Sequence, residues 1–137
     1  MQELSDGKVN CTFDSFLGFR HGPRAIVDEF TLITYLVSFS DSVKQYELDL
    51  IRSIGESSTG AKSVCIGYGD CTEGLSIDFA IKFPDSILSI PKGFLFVLYI
   101  LPAQIVGFYK SLNLGLEPDS PSKGGSISRV VQGVTIY

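Results

Sequence analysis

The chain has one histidine, His21, set between Arg20 and the pair Gly22-Pro23. Imidazole changes charge near neutral pH, so a histidine in a tight Gly-Pro turn is a candidate for proton transfer. The competing reading is a turn histidine satisfied by backbone groups. Arg20 and Arg129 carry planar guanidinium forks that suit phosphate or hydroxyl groups, and the same forks also serve surface ion pairs. Asp14 and Ser15 read as turn caps rather than substrate contacts. Glu3, by residue type alone, is a solvated charge near the chain start. The three cysteines, Cys11, Cys65 and Cys71, lack the paired short spacing of a zinc site, and a lone histidine cannot complete one. Cys11 and Cys65 fall in strand-like runs, which predicts buried, reduced thiols acting as small hydrophobes, as in a reducing compartment.

The elements that position these groups must fit into 137 residues, enough for one domain and too few for two. With 45% hydrophobic and 19% charged residues the chain is globular rather than disordered. A net charge of −4 argues against a nucleic-acid binder, which needs a basic face for phosphates. No basic run suggests an anionic membrane surface, and the polar, acidic residues 1–8 resemble neither a signal nor a transit peptide. Residues 93–109 carry no charge, but the stretch is 17 residues, against about 20 for a span, and holds Pro102 and Gln104. A helix apolar nearly all round is then one packed within protein, against a sheet or a partner subunit.

Along the chain, residues 9–13 form a short strand-like run and residues 24–27 a short helix opened by Pro23. Residues 31–39 (TLITYLVSF) have the pattern of a strand buried on both faces, as in a parallel sheet. Ser40, Asp41 and Ser42 offer N-caps for a helix in which Val43, Tyr46, Leu50 and Ile54, with Leu48 and Ile51 nearby, keep an approximate 3.6-residue period. Residues 62–68 and 77–83 are two further strands, and a long helix follows Pro91 to residue 114, with a bend expected at Pro102. Residues 117–125 are a surface loop and residues 130–137 a final apolar run. The order predicts an α/β sandwich with a mostly parallel sheet. Its beginning is unusual, since residues 1–7 read as the last turn of a helix and no phosphate-cradling glycine loop is present. Gly67-Tyr68-Gly69 lacks the third glycine of a nucleotide motif.

Two segments carry a specific resemblance. Phe13-Asp14-Ser15 followed by Gly18-Phe19-Arg20-His21-Gly22-Pro23 resembles the signature of a sugar isomerase (SIS) domain. Ser128-Arg129-Val130-Val131-Gln132-Gly133-Val134-Thr135-Ile136-Tyr137 resembles the ending of one branch, the tagatose-6-phosphate ketose/aldose isomerase family, also described as galactosamine-6-phosphate deaminase/isomerases. Lys44-Gln45-Tyr46-Glu47-Leu48-Asp49-Leu50, Leu114-Gly115-Leu116 and Pro118-Asp119-Ser120-Pro121 fit the same pattern between them.

The resemblance implies a three-layer, mostly parallel SIS fold in which residues 1–137 are a second SIS domain lacking its first strand and most of its first helix. It implies His21 as the group that passes a proton to the ring oxygen as the sugar opens. Glu3, at a helix-end position, would move a proton between C1 and C2, a task that suits a carboxylate of raised pKa. Arg20, Arg129 and Gln132 are the implied substrate-binding residues, although Gln132 stands where amino-sugar synthase relatives carry lysine, and Ser128 replaces a usual asparagine. No metal or organic cofactor is implied. The expected substrate is a hexose or amino-hexose 6-phosphate, in the cytoplasm, with a homo-oligomer or a missing N-terminal SIS domain as partner, and with neither nucleic acid nor membrane. Two other readings compete: a non-catalytic sugar-phosphate-binding or subunit-assembly module, and a truncated product without function.

Overall fold

Three parallel strands, β1 (Leu32–Leu36), β2 (Lys62–Tyr68) and β3 (Phe79–Phe83), pair in the order β1-β2-β3. Two short connections and three helices complete an α/β architecture: α1 (Phe16–Phe19), α2 (Asp41–Gly55) and α3 (Lys92–Asn113). The structure is a computed structural model that describes residues 1–57, 59–125 and 135. It divides into a sheet unit, Asp14–Phe96, and a second unit made of Met1–Phe13 with Val97–Tyr137. The second parallel connection, residues 69–78, runs without a helix.

In the sheet unit, α2 buries Glu47, Leu50, Ile51 and Ile54, an i, i+3, i+4, i+7 stripe that keeps one face inward. The stripe meets Tyr35, Val37, Cys65 and Cys71, with Phe16, Phe19, Ile33, Leu48, Leu75 and Ile77 packed at its margin. Register explains the choice of face. Tyr35 pairs with Cys65 and Cys65 with Ala80, so this row lies across the α2 side, while Leu36, Ile66 and Ile81 form the neighbouring row on the opposite side.

That opposite side corrects one expectation. The apolar pattern of residues 31–39 predicts a strand buried on both faces, yet β1 spans only Leu32–Leu36, and Leu32, Leu36, Phe79 and Ile81 are exposed. Ile66 on this side is buried while Leu32 and Leu36 to one side of it and Phe79 and Ile81 to the other are exposed, so this face is covered at its central strand and open at both margins. Residues 9–13 supply a second correction. They form no strand, and Cys11 is exposed rather than buried, so five residues of β-compatible type do not make a strand where no neighbouring strand among the described residues hydrogen-bonds to them. Cys65 and Cys71 are fully buried, and Cys65 Sγ donates to the Cys71 carbonyl at 3.4 Å.

In the second unit, a single 3-10 turn, Glu3–Ser5, closes on Asp6 with φ 52°. Buried Ser5 ties the turn together, its Oγ donating to the Gln2 carbonyl at 2.9 Å and accepting from Val9 N at 3.1 Å. Gly107 on α3 lets Leu4 approach closely, since a Cβ there would lie 2.9 Å from Leu4 Cδ1 and the leucine tip would have to shift. The end of α3 is a Schellman motif: Leu116 N donates to the Ser111 carbonyl, Gly115 N donates to the Leu112 carbonyl, and Gly115 takes φ 68°. Buried Leu116 packs the motif shut.

α3 itself overturns an argument from length. It runs for 22 residues, long and apolar enough to cross a membrane by those two criteria alone. The charge-free stretch ends at Tyr109, whereas the helix includes Lys92 and continues through Lys110 to Asn113. Pro102 lies inside it. Leu95, Tyr99 and Ser111 are buried, while Phe94, Leu101 and Ile105 are 69%, 52% and 56% exposed. Among the described residues α3 therefore presents a largely exposed apolar face.

Candidate functional site

The loop that carries His21 is built from local hydrogen bonds. Ser15 is the N-cap of α1, its Oγ accepting from Gly18 N at 3.0 Å, and Asp14 Oδ1 accepts from Ser15 N at 2.7 Å. Both residues therefore cap a turn, as their types predict. Gly18 leaves room for the Asp14 carboxylate, which a Cβ at this position would push aside. The chain then turns through His21, whose N–H donates to the Gly18 carbonyl at 3.2 Å. Pro23 opens a 3-10 turn, Pro23–Ile26, where its missing N–H costs nothing. His21 is exposed on this turn, outside the hydrophobic core, as the Gly-Pro neighbourhood predicts.

Two arginines flank the histidine and reach the same helix. Arg20 Nη2 donates to the Tyr46 carbonyl at 3.3 Å. Arg24 grips Ser53 twice, with Nη1 to the hydroxyl at 3.2 Å and Nη2 to the carbonyl at 2.9 Å. One nitrogen of Arg20, expected to hold substrate, is thus committed to α2, and the rest of its exposed fork faces outward. Sequence reasoning misses Arg24. The only local signal is its place directly after the Gly-Pro turn.

The other candidates lie elsewhere. Glu3 is exposed on the 3-10 turn of the second unit, while His21 belongs to the sheet unit. Arg129, Gln132 and Ser128 fall outside the described residues, as does most of the 130–137 run. Among the described residues, no group of three His, Cys, Asp or Glu side chains gathers as a metal site would require.

A second polar cluster sits at the carboxyl ends of the strands, the edge where open parallel sheets usually bind ligands. Tyr68 closes β2 and its hydroxyl donates to Asp41 Oδ1 at 2.7 Å, at the first turn of α2. That hydrogen bond, helped by burial, pushes the phenol up to about 12. Lys44 covers the Tyr68 ring at 4.9 Å, a cation–π contact, and Lys82 pairs with Asp70 at 3.5 Å. Beneath them, burial raises the pKa of Glu47, and the hydrogen bond its Oε2 accepts from Ser38 N at 2.7 Å partly offsets this. Tyr35, in the core, is pushed up to about 12 by burial, with the charge of Arg24 pulling the other way.

The chain is similar over nearly its whole length to proteins of known family. It is 34% identical over 137 residues to the D-galactosamine-6-phosphate deaminase AgaS of Escherichia coli, covering 98% of this chain and 35% of that protein. The AgaS protein of Shewanella sp. (strain ANA-3) is 32% identical over 135 residues, 98% of this chain and 32% of the relative. Among solved structures, a protein from Clostridium novyi NT, named as a candidate tagatose-6-phosphate ketose/aldose isomerase, matches with a TM-score of 0.88 and 34% identity over 99% of this chain and 35% of its own. The tagatose-6-phosphate ketose/aldose isomerase of Escherichia coli matches with a TM-score of 0.71 and 31% identity, over 96% of this chain and 34% of its own. No family model matches. The chain therefore spans about a third of the length of the relatives it matches.

Proposed function

We propose, for a chain that belongs to the sugar isomerase family of the AgaS deaminases and tagatose-6-phosphate isomerases, that it supplies part of the active site of an enzyme acting on a hexose or amino-hexose 6-phosphate. The observation that carries this reading is His21, exposed on a Gly-Pro turn and flanked by arginines, in a chain that follows these relatives from end to end. His21 protonates the ring oxygen as the C1–O5 bond breaks and the C1 hydroxyl gives up its proton to water, giving the open-chain aldehyde. Glu3 then removes the C2 proton and returns it to C1. With a hydroxyl at C2 the intermediate is an enediol and the product a ketose. With an amino group at C2 the same transfer gives a C2 imine, which water hydrolyses to the ketose with release of ammonia. This route asks for a base, an acid and oxyanion stabilisation, with no metal or organic cofactor. Arg20, Arg129 and Gln132 hold the substrate from their side.

The sugar phosphate is a small anion of metabolism, so the enzyme is placed in the cytoplasm, and the exposed apolar side of α3 is read as an interface rather than a membrane span. Its occupant is a second copy or the remaining domain of a longer protein. The same exposed side favours a second reading, a non-catalytic assembly module.

An assay separates the two. The 137-residue chain alone, and the same chain joined to the remaining two thirds of the Escherichia coli relative, are each given galactosamine 6-phosphate while ketose phosphate and ammonia are followed. The joined protein is expected to turn over and the chain alone to be inactive, because a dianionic phosphate is normally held by several backbone N–H groups at a helix N-terminus or glycine-rich turn. His21→Ala in the joined protein is expected to cost about 100-fold or more in kcat. An inactive joined protein with intact folding leaves the assembly reading.

A further inference from the structure

We propose that Arg24 is a positioning residue for His21, a staple that fastens the histidine turn to the carboxyl end of α2. The inference rests on the reading of His21 as the ring-opening acid. Within the turn only local backbone bonds, His21 N to the Gly18 carbonyl and Ala25 N to the Gly22 carbonyl, hold the chain, and His21 with its neighbours Arg20, Gly22 and Pro23 is exposed rather than packed. An acid must be held within a fraction of an ångström of its target, and a loosely attached loop cannot do that.

The staple's strength lies in what it grips. Ser53 is among the last four residues of α2, whose carbonyls have no partner within the helix. Those carbonyls form the negative end of the helix dipole, so a cation there is favoured twice, as a donor and as a charge. Arg24 uses both terminal nitrogens on one residue, which fixes the orientation of its plane, and lysine cannot reproduce that fork. Its half-buried stem lies against the core, where its charge acts on the buried Tyr35 hydroxyl. Arg20 adds a second, weaker point. Its target, the Tyr46 carbonyl, is seven residues earlier on α2, two turns or about 10 Å along the same face. That carbonyl lies in mid-helix and already serves the helix ladder, so Arg20 shares an acceptor where Arg24 satisfies an orphan. His21 is therefore suspended between two anchors on one rigid helix, with Pro23 stiffening the nearer link.

Because His21 is the chain's only histidine, the two imidazole carbon–proton NMR signals, from Cδ2–H and Cε1–H, both belong to it, and the test begins there. In the 137-residue chain, Arg24→Gln is expected to lower the amide order parameters of residues 21–26 from about 0.85 to below about 0.6 and to sharpen the imidazole signals, leaving α2 and the sheet unchanged. Arg24→Lys is expected to fall between. In the joined enzyme, Arg24→Gln is expected to lower kcat by about 10- to 100-fold with KM within threefold and Tm within a few degrees. Unchanged order parameters in Arg24→Gln overturn the proposal, and so does a lower Tm with full kcat, which is what a purely structural arginine would give. If His21→Ala leaves kcat intact, the acid role of His21 falls while the NMR result still decides the staple.

Discussion

The two long helices of this chain end in opposite situations. α2 buries one stripe of its surface, where Leu50, Ile51 and Ile54 are almost wholly covered in the sheet unit's core. α3 is apolar over most of its circumference, and Val97, Leu101, Ile105, Phe108 and Leu112 stay exposed along a line spaced near the helical repeat. A helix with one apolar stripe is satisfied by one neighbouring surface, whereas a helix apolar on several sides needs as many. Among the described residues α2 has the first kind of cover, whereas much of the apolar surface of α3 is exposed. A closed core in the sheet unit thus coexists with a long exposed apolar surface.

The sharpest way to break this contrast is to remove one side chain from each helix. Leu50→Ala is expected to cost about 2–5 kcal/mol, read as a lower urea midpoint at constant slope, because it leaves a cavity among Tyr35, Val37 and Ile54. Leu101→Ala should cost less than about 1 kcal/mol, since its side chain is half exposed already. Equal costs would mean that α3 is as well covered in solution as α2.

The next effect concerns association rather than stability. If a second copy covers α3, the double change Leu101→Asp with Ile105→Asp should weaken self-association at least about tenfold, because each carboxylate must be desolvated at the interface. Sedimentation velocity over a range of concentrations measures this. A wild-type chain that stays monomeric at the highest concentration points instead to a domain of a longer protein as the occupant.

The smallest effect sharpens the covered side. Burial raises the pKa of Glu47 above its ordinary 4.5, so the folded chain binds this proton more tightly than the unfolded one. Its contribution is fully present below 4.5 and is lost as pH rises through the folded value. The stability of the wild type relative to Glu47→Gln should therefore decline as pH is raised from 4.5 toward neutrality, in paired urea titrations. Asp78 has the opposite sign. Its hydrogen bonds to Lys62 and Ser63 lower its pKa, so what it adds is present above the ordinary carboxylate value of 3.8 and is lost as pH falls through the folded one. A flat difference for Glu47 would mean that water reaches the carboxylate that Ser38 binds.

The elements with the clearest local pattern are legible in the amino-acid sequence. Residues 62–68 stand in β2 residue for residue, and the 3.6-residue spacing of Val43, Tyr46, Leu50 and Ile54 falls within α2. The same pattern does not record which residues are inward, since Val43 and Tyr46 are exposed while Leu50, Ile51 and Ile54 are buried together with the charged Glu47. Residues 31–39 overstate their burial for a related reason. An apolar run reports that a strand can be buried, and only the neighbouring layer decides on how many faces it is. The candidate site divides in the same way. The Gly-Pro turn marks His21, and Asp14 and Ser15 announce their caps, because each of those hydrogen bonds closes within a few residues.

Arg24 carries no such mark, since its partner Ser53 lies 29 residues away and belongs to a different element. Periodicity, turn chemistry and motif are written within one or two turns of the backbone, so the sequence by itself determined the strands, the helices, the histidine turn and the family resemblance. Which face of α2 points inward, how far β1 extends, what Arg24 grips and which side of α3 stays bare were decided only by the tertiary structure. Those outcomes depend on surfaces far apart in the chain coming together, and no local pattern records which surfaces meet.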